Sequence, residues 1–152
     1  MERIASFCVD HTKLEKGVYV SRIDGDITTY DIRMRKPNVE EVMDNGAIHT
    51  IEHLFATYAR NCEYKDSVIY FGPMGCRTGC YFLTRNLDNA TVISIIKDAF
   101  RFIADFEGEI PGSSAVECGN YRDHNLELAK KEAREFIKIV QPLTAENMHY
   151  QQ

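Results

Sequence analysis

The chain has 152 residues, 44% hydrophobic and 27% charged, the size and balance of one ordinary globular domain spanning 1–152, which excludes a disordered chain or a fibrous repeat. The 23 acidic against 18 basic residues leave a net charge of −5, which argues against a nucleic-acid partner, since clustered lysines and arginines must displace counterions from phosphates. The short basic stretch Arg33, Arg35, Lys36 does not reverse that balance.

No apolar run approaches the 18 or so residues that a membrane span needs. The opening MERIASFCVDH carries charge within its first three residues and lacks a long apolar stretch before a cleavage site, so the expected location is cytoplasmic. Five cysteines, an odd number, make a disulfide framework improbable and leave thiols free for packing, metal binding or acid/base work.

In chain order, GVYVSRI (17–23) and ITTYDIRM (27–34) are rich in β-branched and aromatic residues. They flank Asp24-Gly25, a pair suited to the positive φ angles of a tight hairpin. A helix follows from Ile48, because Ile51, Leu54, Phe55, Tyr58 and Ala59 recur at three and four residues. SVIYFGPM (67–74) and GCYFLTRN (79–86) form a second strand pair around Pro73 and Gly75. A second helix begins at Asp88 or Asn89, carries Val92, Ile95, Ile96, Ala99, Phe100, Ile103 and Phe106, and stops at Gly108. The third starts near Asn125 and runs through Leu126, Ala129, Ala133, Phe136, Ile137 and Val140 until Pro142 ends it. Strands and helices do not alternate, so the expected fold is α+β, with helices packed on an antiparallel sheet.

The segment His49-Thr50-Ile51-Glu52-His53 carries the most chemical information. On a helix the two histidines stand at i and i+4, so both imidazoles project over one face towards a single ion, and Glu52 lies beside them. This HxxEH pattern inverts the HExxH zinc motif and puts a carboxylate near the metal without making it a ligand. Two histidines satisfied by ordinary polar contacts are the plainer reading. A catalytic divalent ion usually takes three protein ligands, and Cys118, in Glu117-Cys118-Gly119-Asn120 ahead of the third helix, is the candidate third. Alone it would read as a buried small residue; the two histidines give it a role.

Cys76 sits in the Gly-bracketed turn Gly72-Pro73-Met74-Gly75-Cys76-Arg77-Thr78-Gly79. Exposure on a turn and the charge of Arg77 favour a thiolate there, hence a catalytic group, against a merely solvent-facing thiol or a metal ligand. Cys80 follows four residues later, so a Cys76/Cys80 redox pair or a structural zinc site stays open. His124, Asn125 and Glu127 read as a helix cap and solvated surface, with orientation of a ligand as the alternative.

In His49-Thr50-Ile51-Glu52-His53-Leu54, Pro73-Met74-Gly75-Cys76-Arg77-Thr78-Gly79 and Cys118-Gly119, in this order and spacing, the sequence resembles the LuxS family of S-ribosylhomocysteine lyases. Ser6-Phe7, Asp10-His11, Tyr30-Asp31-Ile32-Arg33 and Pro37-Asn38 extend the resemblance over most of the chain. The resemblance implies a homodimer with active sites at the subunit interface and a LuxS/metallohydrolase-like fold. It also implies one divalent ion per subunit, Fe2+ first with Zn2+ or Co2+ as substitutes, on His49, His53 and Cys118, and no organic cofactor. Glu52 and Cys76 would be the acid/base pair. Ser6 and His11 from the partner chain, with Arg33 and Arg60, would contact S-ribosylhomocysteine. The expected products are L-homocysteine and 4,5-dihydroxy-2,3-pentanedione, the precursor of autoinducer-2. Cys80 stands where an aromatic residue is expected, and Tyr70 and Gly72 where acidic and Ser residues are common, which bears on how the homocysteine end is held. Two other readings remain: an HxxEH metallopeptidase with Glu127 as third ligand, for which the chain is small, and a noncatalytic metal or thiol interaction module.

Overall fold

A computed structural model describes residues 1–151. Strands β1 (Gly17–Asp24), β2 (Ile27–Arg33), β3 (Val68–Pro73) and β4 (Gly79–Arg85) form one antiparallel sheet in the order β1-β2-β4-β3. Helices α1 (Asn45–Ala59), α2 (Asn89–Asp105) and α3 (Leu126–Val140) complete the α+β architecture expected of the sequence. Among the described residues no helix is long and apolar enough to cross a membrane.

Alternation along the strands separates two faces. Val18, Tyr30, Ile32, Phe71, Cys80 and Phe82 turn towards the helices, and with Ile51, Leu54, Phe55, Ile96, Phe100, Ile103, Ala133 and Phe136 they make the core. Phe55 anchors it, stacked on Phe71 at 3.9 Å between ring centroids and edge-on to Phe82 at 5.0 Å, an offset and T-shaped set that suits aromatic quadrupoles. The opposite face carries Tyr19, Asp31, Arg33 and Tyr81, all in register across the strands. The C-terminal segment returns to this side: Val20 N–H donates to the Met148 carbonyl at 2.7 Å, and Tyr150 stacks on Tyr19.

Gly25 takes φ 63° in the β1–β2 turn, as the Asp-Gly pair requires. The second hairpin differs from expectation. Its left-handed residue is Arg77, at φ 59°, with Pro73 still inside β3 and Met74 N–H donating to the Gly79 carbonyl at 2.9 Å. That turn is tied to the segment entering α1, because Met43 N–H donates to the Arg77 carbonyl at 3.0 Å. The Cys76 turn and the N-terminal half of α1 therefore share one end of the molecule.

Candidate metal centre

α1 starts at Asn45, capped by the Asp44 carboxylate, which accepts from Ala47 N–H at 3.1 Å. The motif is therefore well inside the helix, and His49 and His53 project from one face. Their rings stand 4.7 Å apart edge to face. Cys118 Sγ lies 3.5 Å from His49 Nε2 and 3.9 Å from His53 Nε2, close to the roughly 3.5 Å that separates N and S donors around a tetrahedral ion. The three side chains expected to be ligands converge.

A fourth joins them. His124 Nε2 is 3.9 Å from Cys118 Sγ and its ring stacks on His49 at 3.9 Å. The four donor atoms all lie within 4.8 Å of one another. The expectation that His124 belongs to a cap and a solvated surface is thereby corrected. Asn125 alone is the cap, accepting from Leu128 N–H at 3.0 Å. His124 arrives because Gly46 lets the chain before α3 close on α1: Asn125 N–H donates to the Gly46 carbonyl at 3.2 Å, and a Cβ on Gly46 would stand 3.3 Å from the Asn125 backbone. The Cys118 to His124 spacing was the only hint in the sequence.

The chemistry of the donor set fits a cation. His49 Nδ1 donates to the Asp123 carbonyl at 2.7 Å, and His53 Nδ1 to the Pro111 carbonyl at 2.9 Å. A carbonyl only accepts, so each Nδ1 carries a proton and Nε2 is the atom turned to the donor set. Thr50 gives its hydroxyl proton to the Gly46 carbonyl and takes the Asn125 N–H, so its contact with His124 Nδ1 at 3.0 Å is again donation by the ring. The result is three Nε2 atoms facing one sulfur. Burial, then the neighbouring His49 and His53, push the His124 pKa down to about 4, so that ring is neutral at physiological pH. Gly112, at φ 70°, keeps the wall behind His53 thin, since a Cβ there would lie 3.3 Å from Nδ1.

Glu52 is not in the donor set; its carboxylate stands 3.9 Å from His53 Nε2. With His53, Arg60, Tyr70, Phe71 and Gly112 it lines a cleft of about 480 Å³. Arg60 donates to the Val68 and Ile69 carbonyls at 3.0 and 2.9 Å, holding the end of α1 to β3. Gly72 leaves room for the Tyr70 ring, which a Cβ would overlap. Cys76 is exposed on its turn with Sγ 3.1 Å from Thr78 Oγ1. Cys80, wholly buried, is pushed far up by burial and then by the charges of Glu52, Asp31 and Cys76. It is an inert core thiol that has Glu52 and Cys76 within electrostatic reach on the same side of the molecule, and no redox pair or zinc site forms with Cys76 among the described residues.

Arg33 is 3% exposed and gripped by Asp31. Ser6 lies in the short turn Ala5–Phe7, and His11 Nδ1 faces its own Val9 carbonyl at 2.8 Å; among the described residues neither joins the donor set nor lines the cleft. Glu127 is exposed and outside the donor set, so the third ligand that a peptidase reading required is not at the centre.

Residues 4–147 match the family model described as S-Ribosylhomocysteinase (LuxS). A relative from Porphyromonas gingivalis, named S-ribosylhomocysteine lyase, is 48% identical over 99% of both chains. Relatives of the same name from Clostridium acetobutylicum, at 46% over 99% of both chains, and Phocaeicola vulgatus, at 45% over 99% of this chain and 98% of the other, agree with it. The donor set, the flanking carboxylate and the turn thiol thus sit in a chain that belongs to the S-ribosylhomocysteinase (LuxS) family.

Proposed function

We infer that the chain is a carbon-sulfur lyase acting on S-ribosylhomocysteine, and the observation that carries the reading is the convergence of His49, His53 and Cys118 beside Glu52. We propose these three as the metal ligands, with His124 the neighbouring imidazole that closes the donor set. Fe2+ is the proposed resident ion, as the family resemblance implies; one thiolate among imidazoles equally accepts Zn2+ or Co2+. When bound, the ion supplies Lewis acidity towards a sugar oxygen, worth several kcal/mol of charge stabilisation in such sites.

The substrate sets what the protein must do. The thioether is on C5 of the ribose and the carbonyl of the opened sugar on C1. A thiolate leaves readily only when β to a carbonyl. The carbonyl must first move to C3, by transfer of a proton from C2 to C1 and then from C3 to C2. Loss of the C4 proton then expels the thiolate from C5; the thiolate takes up a proton as L-homocysteine, and the C4–C5 enol left behind gains a proton at C5 to give 4,5-dihydroxy-2,3-pentanedione. Each step is a proton transfer with no net change of oxidation state, so two acid/base groups suffice. Glu52, at the wall of the cleft, and Cys76, the exposed thiol that lies with it within electrostatic reach of Cys80, are the proposed pair, each able to contribute about 100- to 10,000-fold.

Arg60 and Tyr70 border the same cleft and are proposed to contact the polar substrate. Ser6 and His11 are proposed to serve the site of a second copy. Exposed Ile4, Phe7 and Tyr70 are apolar surface that such a homodimer would cover. Five free thiols suit a cytoplasmic, reducing setting. Anaerobically metal-loaded protein is expected to release free thiol steadily from S-ribosylhomocysteine, followed with a thiol reagent, and Glu52→Gln is expected to lose at least about 100-fold in kcat. No thiol release from loaded, reduced protein contradicts the reading.

A further inference from the structure

On the sheet face turned away from the helices, an ionic network stands outside the acid/base pair. β2 presents Asp31 and Arg33, 1% and 3% exposed. Arg33 pairs across the strands with Gly17 on one side and Gly79 on the other, so its two direct cross-strand partners carry no side chain. Nε and one terminal nitrogen donate to the two Asp31 oxygens at 3.1 and 2.7 Å. The other terminal nitrogen donates to Thr78 Oγ1 at 2.8 Å. That hydroxyl, having accepted from Arg33, has its own proton free for Cys76 Sγ, 3.1 Å away. At the far end Tyr150, stacked on Tyr19 at 4.9 Å, donates its hydroxyl to Asp31 Oδ2 at 2.6 Å. An unbroken line of contacts joins the C-terminal segment to the thiol.

A carboxylate that holds a guanidinium through both oxygens cancels part of its charge. A second donor on the same carboxylate draws density away from the cation and leaves more of its field on the outer side. We propose that Tyr150 is a positioning residue: through Asp31 it fixes the Arg33 guanidinium and raises the positive charge that reaches Thr78 and the Cys76 sulfur, favouring the thiolate. The consequence for turnover rests on the acid/base reading of Cys76 given above; the consequence for the thiol itself does not.

The test measures the thiol and turnover separately, in metal-loaded protein. Alkylation of Cys76 by iodoacetamide is followed by peptide-resolved mass spectrometry between about pH 6 and 9, with Cys62 in the same digest as a control for loosening of the fold. Tyr150→Phe keeps the ring on Tyr19 and loses only the hydroxyl. It is expected to slow Cys76 alkylation at neutral pH about two- to ten-fold, the range of one hydrogen bond, to move the midpoint to higher pH, and to leave Cys62 unchanged. Thr78→Val acts in the same direction, Thr78→Ser restores the parent rate, and the Tyr150→Phe/Thr78→Val pair is no slower than Thr78→Val alone, because both act through one path. An unchanged Cys76 rate in Tyr150→Phe, or additive effects in the pair, overturns the proposal. A slowed thiol with unchanged kcat supports the relay and removes Cys76 from the acid/base pair instead.

Discussion

The group behind each imidazole decides what that imidazole can do. Carbonyls of Asp123 and Pro111 pin the Nδ1 protons of His49 and His53, and the Thr50 hydroxyl does the same for His124. The convergence of His49 and His53 was legible because helical spacing alone puts residues 49 and 53 on one face. Their partners were not, since a backbone carbonyl has no signature in sequence, and His124 depends on a close approach at Gly46 that only packing reveals. Arg33 shows the same limit in its packing: it is buried in a pair with Asp31 that nothing in Tyr30-Asp31-Ile32-Arg33 announces. The phenols beside Asp31 give a residue-scale prediction. Tyr19, Tyr81 and Tyr150 are all raised, by burial first and then by the Asp31 charge. The unfolded chain ionises near the ordinary value of about 10, and the folded chain above it. Their contribution to stability is therefore intact below about pH 10 and is lost as pH rises beyond it, because the unfolded state releases protons that the folded state retains. Urea midpoints across the alkaline range should fall above about pH 10, and less steeply in Tyr150→Phe, which has one fewer such group.

Among the elements, the four strands and three helices fall where periodicity places them, and the differences are at their ends. α1 begins three residues before Ile48, because the Asp44 cap draws Asn45 and Gly46 into a first helical turn. In the second hairpin, Gly75 was expected to supply the turn, yet the left-handed conformation falls on Arg77, whose carbonyl is held by Met43. Long-range hydrogen bonds, not local propensity, fix that loop and with it Cys76. The start of α3 follows the sequence more closely, with Asn125 accepting from Leu128 N–H. Asn125→Ala should cost about 1 kcal/mol, a fall of about 2–4 °C in Tm for a chain of this size, whereas Asn125→Gly should cost a few tenths. Equal losses for Ala and Gly in a thermal melt would show that the side chain acts through something other than the cap.

Over the whole molecule, the sheet separates two kinds of chemistry. The helix side is an apolar core that packs against α1 and keeps His49, His53 and Glu52 in fixed relation on that helix. The other side carries the Asp31–Arg33 pair and the C-terminal segment, and it reaches the exposed Cys76 thiol through Thr78. The fold class followed from the order of strands and helices, whereas the link between the two sides arises from register across β1, β2 and β4, which periodicity does not determine. The central claim is that one cation is held through the Cys118 sulfur together with His49 and His53. Cobalt-substituted protein tests it most directly, because a thiolate bound to Co2+ adds a charge-transfer band in the near ultraviolet. The parent and Glu127→Ala should show that band with one cobalt per chain, and Cys118→Ser should lack it. Persistence of the band in Cys118→Ser, or its loss in Glu127→Ala, would contradict the account.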